Sequence, residues 1–184
     1  MQINEIQIVL LLSFIGILLL VLLIFVCVKR YSSNKETMKY YEAAGQMLKE
    51  EYLNYSLKNP YLQPKHPSMQ NPRKIMLYIK LAKTKEKDGF VFDPKDAVVF
   101  GRQKEKVSIC VNEAAVSSQH CMVYLGGDAV LAEDMGSRNG TGLIRKRKEY
   151  ALSYGSPVVL MDKDILHIGS KYFQIRIFYY DTVL

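Results

Sequence analysis

The chain has 184 residues and a formal net charge of +7, and its hydrophobic fraction of 49% is raised by the first thirty positions. That length leaves room for one domain of ordinary size with accessories, not for several cores. Its three cysteines show neither a CxxC pair nor Cys/His metal spacing, which argues against a disulfide framework or a zinc site, and no metal or cofactor is expected.

Residues 6–28 carry no charged side chain, enough for the roughly 20 helical residues that cross a bilayer core. A cleaved signal peptide would show a basic leader, a small-residue cleavage site and an apolar run of only about 7 to 15 residues. A buried core helix would need a core able to enclose a helix that is apolar on all sides. Residues 1–30 are therefore read as a transmembrane anchor. Glu5 is the charge before it, whereas Lys29, Arg30, Lys35 and Lys39 follow closely, and the positive flank normally stays in the cytoplasm. The remainder of the chain is expected to be cytosolic. In that reducing compartment Cys27, Cys110 and Cys121 read as small buried hydrophobes.

Residues 31–58 read as a helical juxtamembrane stalk, with Met38, Tyr41, Leu48, Tyr52 and Tyr55 at three-to-four spacing and a gap at Ala44-Gly45. This narrow stripe could remain a solvated continuation of the membrane helix, pair with its twin in weak self-association, or lie on the following domain; Gly45 costs about 1 kcal/mol in any of these helices. Residues 59–73 hold Pro60, Pro64, Pro67 and Pro72 and read as an extended, semi-stiff linker in which His66 is solvated.

From residue 74 to 184 the pattern changes to period two. Ile75, Leu77, Ile79 and Leu81 alternate with Met76, Tyr78 and Lys80, and similar runs recur at 107–111, 122–125, 130–132, 158–160, 165–168 and 172–178. Many short strands with polar turns and little helical periodicity imply an all-β sandwich.

The polar residues that carry chemistry fall where these strands give way to loops. Gly101-Arg102 ends one run, Ser117 and His120 follow a second, and Asn139-Gly140 follows a third. Strand ends on one edge can point into a shared site. A guanidinium, a hydroxyl and a carboxamide without a paired carboxylate suit recognition of a phosphate ester on a peptide: Arg matches phosphate oxygens with a planar fork, Ser donates once more, and Asn both donates to and accepts from an extended backbone.

In this order and spacing, Gly101-Arg102, Ser117-x-x-His120 and Asn139-Gly140-Thr141 resemble the signature of the forkhead-associated (FHA) domain, over about residues 74–180. The resemblance implies an eleven-stranded β-sandwich that binds phosphothreonine peptides through loops at one end. Carried over by position, it implies phosphate contacts from Arg102 and Ser117 and backbone contacts from Asn139, with Gly101, His120, Gly140 and Thr141 supporting the site. Ser118 stands where the family often has Arg or Asn, and Arg138 stands where some relatives carry a phosphate-contacting Thr, so its guanidinium could restore the charge. Lys163-Asp164 replaces a usual Gly-Asp turn.

Ser117, His120 and Asp134 contain the residue types of a hydrolase triad, but no Gly-x-Ser-x-Gly elbow accompanies them. Residues 136–142 are glycine-rich without the Lys-Ser/Thr of a nucleotide loop, and Asn139-Gly140 is expected at positive φ. Arg145-Lys146-Arg147-Lys148 reads as a solvated hairpin tip, or as a contact for a membrane surface or an acidic partner. Nucleic acid is not an expected partner, since the anchor keeps the chain away from it.

The sequence thus reads as a single-pass membrane adaptor, not an enzyme. Its cytosolic FHA sandwich would hold a threonine-phosphorylated kinase, a kinase substrate or a regulated membrane assembly. The alternative is a structural subunit of a membrane complex whose FHA fold binds an unphosphorylated partner.

Overall fold

The computed structural model describes residues 5–58, 73–84 and 89–181. The chain runs α1 (Glu5–Lys58), β1 (Arg73–Leu81), β2 (Gly89–Phe92), β3 (Val98–Gly101), β4 (Ile109–Cys110), β5 (Cys121–Gly126), β6 (Ala129–Asp134), β7 (Thr141–Arg145), β8 (Lys148–Leu152), β9 (Val158–Val159), β10 (Ile165–Ile168) and β11 (Lys171–Asp181). It divides into two compact units, Met1–Glu42 and Ala43–Leu184.

The first unit holds α1 as far as Glu42. Its side chains from Leu10 to Val28 are exposed, and the helix contains an 18-residue window of mean hydropathy 3.3. By length and composition this helix could cross a membrane. The helix does not break where charge begins after Val28, because Lys, Glu, Met and Leu are all good helix formers.

The second unit is a β-sandwich of eleven strands. One sheet has the order β2-β1-β11-β10-β7-β8 and the other β4-β3-β5-β6-β9. Alternation sets which side chains enter the core: β6 and β10 bury every second residue, and Leu77, Ile79, Leu166, Ile168 and Ile175 of one sheet meet Phe100, Val123 and Ala132 of the other. Phe100 and Phe173 pack edge to face across the layer, with centroids 5.1 Å apart.

β1 is buried on both faces, from Met76 to Ile79. Its inner residues belong to the core. On its outer side, Lys74 pairs in register with Tyr180 and Met76 with Phe178. The Tyr180 hydroxyl lies against Gly45, where an added Cβ would stand 2.8 Å away, and Lys74 binds Glu51 at 3.3 Å. The α1 segment from Ala43 onward therefore lies over the β1–β11 pair, one of the arrangements the sequence left open for the stalk. Its buried face is centred on Ala44, which is fully buried, while Met38 is 60% exposed. Of the expected stripe Leu48 is half-buried, and the small residues that looked like a gap, Ala44 and Gly45, are where the helix approaches the sheet. The side chains of Tyr52 and Tyr55, and the proline-rich segment 59–72, lie outside the described residues.

The cysteine expectation also needs correction. Cys121 is fully buried, and burial pushes its thiol up to about 12, so it stays protonated. Cys110 is exposed, contrary to that expectation, and Cys27 lies within the apolar stretch of α1.

Candidate functional site

The loops after β3, after β4 and after β6 meet at one end of the sandwich, and backbone hydrogen bonds fasten them together. Arg102 N–H donates to the Ser117 carbonyl (2.9 Å) and Gln103 N–H to the Ser118 carbonyl (3.2 Å), so the 117–119 segment crosses directly over the end of β3. Gly101 sits under that crossing. A Cβ there would run into the Ser118 carbonyl and stand 3.0 Å from the Gln119 Cα, so only glycine permits the approach.

His120 lies beneath the loops with no exposed surface. Its Nδ1 accepts the Ser117 N–H at 3.1 Å, and its Nε2 is 3.0 Å from the Gly140 carbonyl. An N–H can only donate and a carbonyl only accept, so the proton must sit on Nε2 and the ring is the neutral tautomer. One imidazole thereby couples the 117 loop to the 140 loop. The Ser117 hydroxyl accepts the Arg138 N–H at 3.2 Å, a second tie between the same two loops.

Asp134, 4% exposed, organises the third loop. Its Oδ1 accepts the Ser137 N–H (2.8 Å), and its Oδ2 accepts both the Ser137 and Thr141 hydroxyls at 2.6 Å. Burial pushes this carboxyl up, but the Ser137 hydroxyl, the Thr141 hydroxyl and the Ser137 N–H together outweigh it and hold Asp134 below the ordinary carboxylate range. Asp134 is the loop staple that sequence reasoning missed as such. Its spacing to Ser137, an acid followed by a donor three residues on, is the signal that could have found it. The triad reading does not survive this geometry: His120 spends both ring nitrogens on backbone groups, and the Asp134 oxygens are taken by Ser137 and Thr141.

Gly140 holds φ +74° and Gly136 +73°, which allow the loop its two sharp reversals. Asn139 is not among the positive-φ residues, so the expected positive φ falls on Gly140 alone of that pair. The Asn139 Nδ2 donates to the Ala115 carbonyl at 2.7 Å. This leaves its Oδ1 as the group that can accept from a ligand. On the opposite flank Glu113 accepts the Ser170 N–H (2.8 Å) and hydroxyl (2.6 Å), tying the β4–β5 loop to the turn before β11.

Between these loops opens a cleft of about 250 Å³ lined by Arg102, Ala114, Ala115, Val116, Ser117, Ser118 and Arg138. Arg102, Ser118 and Arg138 are exposed, Ser117 is half-buried, and neither guanidinium has a carboxylate partner among the described residues. Asn139 borders a second hollow of about 410 Å³ that also holds Glu149, Tyr150 and His167. The structure thus brings Arg102, Ser117, Ser118 and Arg138 around one cleft, whereas Asn139 lines the second hollow. Gly101, His120, Gly140 and Thr141 form the frame beneath.

A two-sheet sandwich with such a cleft in its loop end defines a binding module. Residues 98–169 match the family described as the FHA domain, and this part of the chain is an FHA domain, an interaction module of a family that binds phosphothreonine peptides. Solved structures similar to the chain include the FHA domain of an Arabidopsis thaliana hypothetical protein, at 24% identity over 59% of this chain and 88% of that one, with a TM-score of 0.49. The FHA domain of the CT664 protein from Chlamydia trachomatis is 20% identical over 55% of this chain and 96% of its own, with a TM-score of 0.46. Mycobacterium tuberculosis EmbR, in complex with a low-affinity phosphopeptide, is 23% identical over 55% of this chain and 24% of its own, with a TM-score of 0.45. No curated protein matches the chain.

Proposed function

We propose that the chain is a membrane-anchored phosphothreonine reader: α1 crosses the bilayer, the sandwich faces the cytosol, and the cleft holds a threonine-phosphorylated protein, a kinase or its substrate, at the membrane. The observation that carries this reading is the pair of exposed guanidinium groups, Arg102 and Arg138, without a carboxylate partner among the described residues and lining one cleft with the hydroxyl-bearing Ser117 and Ser118. A phosphate ester brings about −1.5 to −2 charge and three acceptor oxygens, the complement of this donor set.

In this reading Arg102 grips the phosphate bidentately, and Ser117 and Ser118 donate hydroxyls. Arg138 supplies the charge that Ser118 lacks, and the Asn139 carbonyl oxygen takes a peptide N–H. The bound peptide lies over loops already tied by His120 and Asp134, so little ordering cost is left for the binding step.

The test is a titration of the full-length chain in nanodiscs with phosphothreonine, phosphoserine and unmodified peptide libraries. The phosphothreonine peptides should bind most tightly and the unmodified ones weakly. Equal binding of modified and unmodified peptides would replace the reader by a scaffold for an unphosphorylated partner.

A further inference from the structure

Lys146, Arg147, Lys148 and Lys163 form a cationic tip where the β7–β8 hairpin turns, away from the cleft, and we propose that this tip docks on the anionic leaflet of the membrane. The proposal rests on the reading of α1 as an anchor and adds a second, electrostatic contact made by the FHA domain itself.

Strand register places the tip. β7 and β11 are both antiparallel to β10 and so run the same way, while β1 runs against β11 with Arg73 opposite Asp181. Arg145, the last residue of β7, therefore points toward the end from which β1 starts but lies level with Ile79, six residues along the strand from Arg73. Asn139 precedes β7 and sits at the other end with Arg102 and Ser117. The five residues of β7 separate the two ends by roughly 16 Å at about 3.3 Å per residue.

An ion pair assembles the tip from two turns. Arg145, the first member of the basic run, is withdrawn from it: its Nε and a terminal nitrogen bind Asp164, the latter at 2.6 Å, and that nitrogen also donates to the Val159 carbonyl. The pair joins the β7–β8 turn to the turn before β10, with Lys146 next along the chain on one side and Lys163 on the other. All four cations are exposed, and none has a carboxylate partner among the described residues. Of the acids near the tip, Asp162 is held by Arg176, Asp164 by Arg145 and Glu149 by His167.

The backbone shows that cations stand here against local preference. Lys146, Arg147 and Lys163 have φ of 49°, 68° and 73°, in the left-handed region that glycine or asparagine occupies without strain. A two-residue hairpin turn of this kind is usually filled by Asn-Gly. A tip that was merely solvated would gain nothing from long basic side chains at three such positions. Val159 and Met161, both about half exposed, add apolar surface at the same edge. Cations on protruding turns, with no pocket between them, fit a broad anionic surface, and such segments are held to acidic leaflets over about a Debye length. Docked this way, the domain directs its cleft away from the bilayer.

The experiment uses the full-length chain in nanodiscs of phosphatidylcholine, with or without phosphatidylglycerol. Lysine amines are acylated with an N-hydroxysuccinimide ester and read by mass spectrometry. Incorporation into both discs reports the anchor; a chain that enters neither sinks the anchor reading and this proposal with it. With the chain incorporated, acylation of Lys146, Lys148 and Lys163 should slow roughly five- to tenfold in the anionic discs and recover at high salt. Lys104 and Lys106, beside the cleft, should not change. The variant K146E/R147E/K148E should lose the protection at Lys163. Equal rates in the two discs, protection of Lys104 and Lys106 to the same degree, or protection that appears only when an acidic protein is added would each overturn the proposal.

Discussion

Arg102 leaves β3 at a residue whose own backbone N–H is already committed to Ser117, so its side chain is free to meet a ligand without reorganising the loop. Hydrogen bonds to charged groups contribute roughly 1.5 to 3 kcal/mol, so Arg102→Ala should weaken a phosphopeptide about ten- to a hundredfold. Arg102→Lys should recover only part, since a point charge cannot reproduce the fork. His120→Ala should behave differently. It removes two hydrogen bonds and opens a cavity in a fully buried position, which should cost about 2 to 4 kcal/mol of stability by urea unfolding. Peptide affinity corrected for the folded fraction should change far less. Asp134 gives a pH signature. Its folded pKa lies below the unfolded value of 3.8, so its stabilisation is fully present above about pH 4 and is lost as pH falls through the depressed folded value. Asp134→Asn should cost about 1 to 2 kcal/mol at pH 7 and flatten that acid limb; an unchanged limb would assign it to another carboxylate. At this scale the positions of the polar groups at strand ends were legible, because turn residues interrupt apolar runs. Their pairings were only partly so: the three-residue spacing from Asp134 to Ser137 can mark a local staple, but nothing in the sequence shows Thr141 joining it.

Elements with one buried face were readable from alternation, and β10 falls on the expected residues 165–168. Three strands were absent from the expected runs, although the basic stretch between two of them was read as a hairpin tip, and each absence has a physical reason. β8 exposes four consecutive residues as an edge strand, β7 carries Gly142 within it, and β2 is only four residues long after a charged turn. The docking of α1 was hidden because Ala44 and Gly45 contribute too little hydrophobicity to mark a face, although their size is what lets the helix lie on Tyr180. The element scale gives two contrasting predictions. Arg145→Met would strand Asp164, 2% exposed, without its guanidinium and should cost about 2 to 4 kcal/mol. Replacing Lys146-Arg147 by Asn-Gly should instead stabilise the domain by about 1 kcal/mol, since it relieves two left-handed residues. Thermal melts of the two variants should shift in opposite directions.

At the scale of the whole molecule, the proposed reading joins an apolar helix with basic residues on its C-terminal side to a cleft that would accept phosphate, a receptor that would concentrate phosphorylated partners at the inner leaflet. A reporter fused after Leu184 should be active only as a cytosolic fusion; activity of an exported reporter would place the sandwich on the wrong side for a cytosolic kinase. The central claim is that the cleft recognises phosphate through Arg102, and a double-mutant cycle measures it most directly. Full-length protein in nanodiscs, wild type and Arg102→Ala, is titrated with one partner peptide carrying either phosphothreonine or threonine. Phosphate and guanidinium should be coupled by about 1.4 to 2.8 kcal/mol, so that removing Arg102 costs the phosphopeptide about ten- to a hundredfold and leaves the unmodified peptide as weak as before. Two tight, equal affinities that do not respond to Arg102 would contradict it.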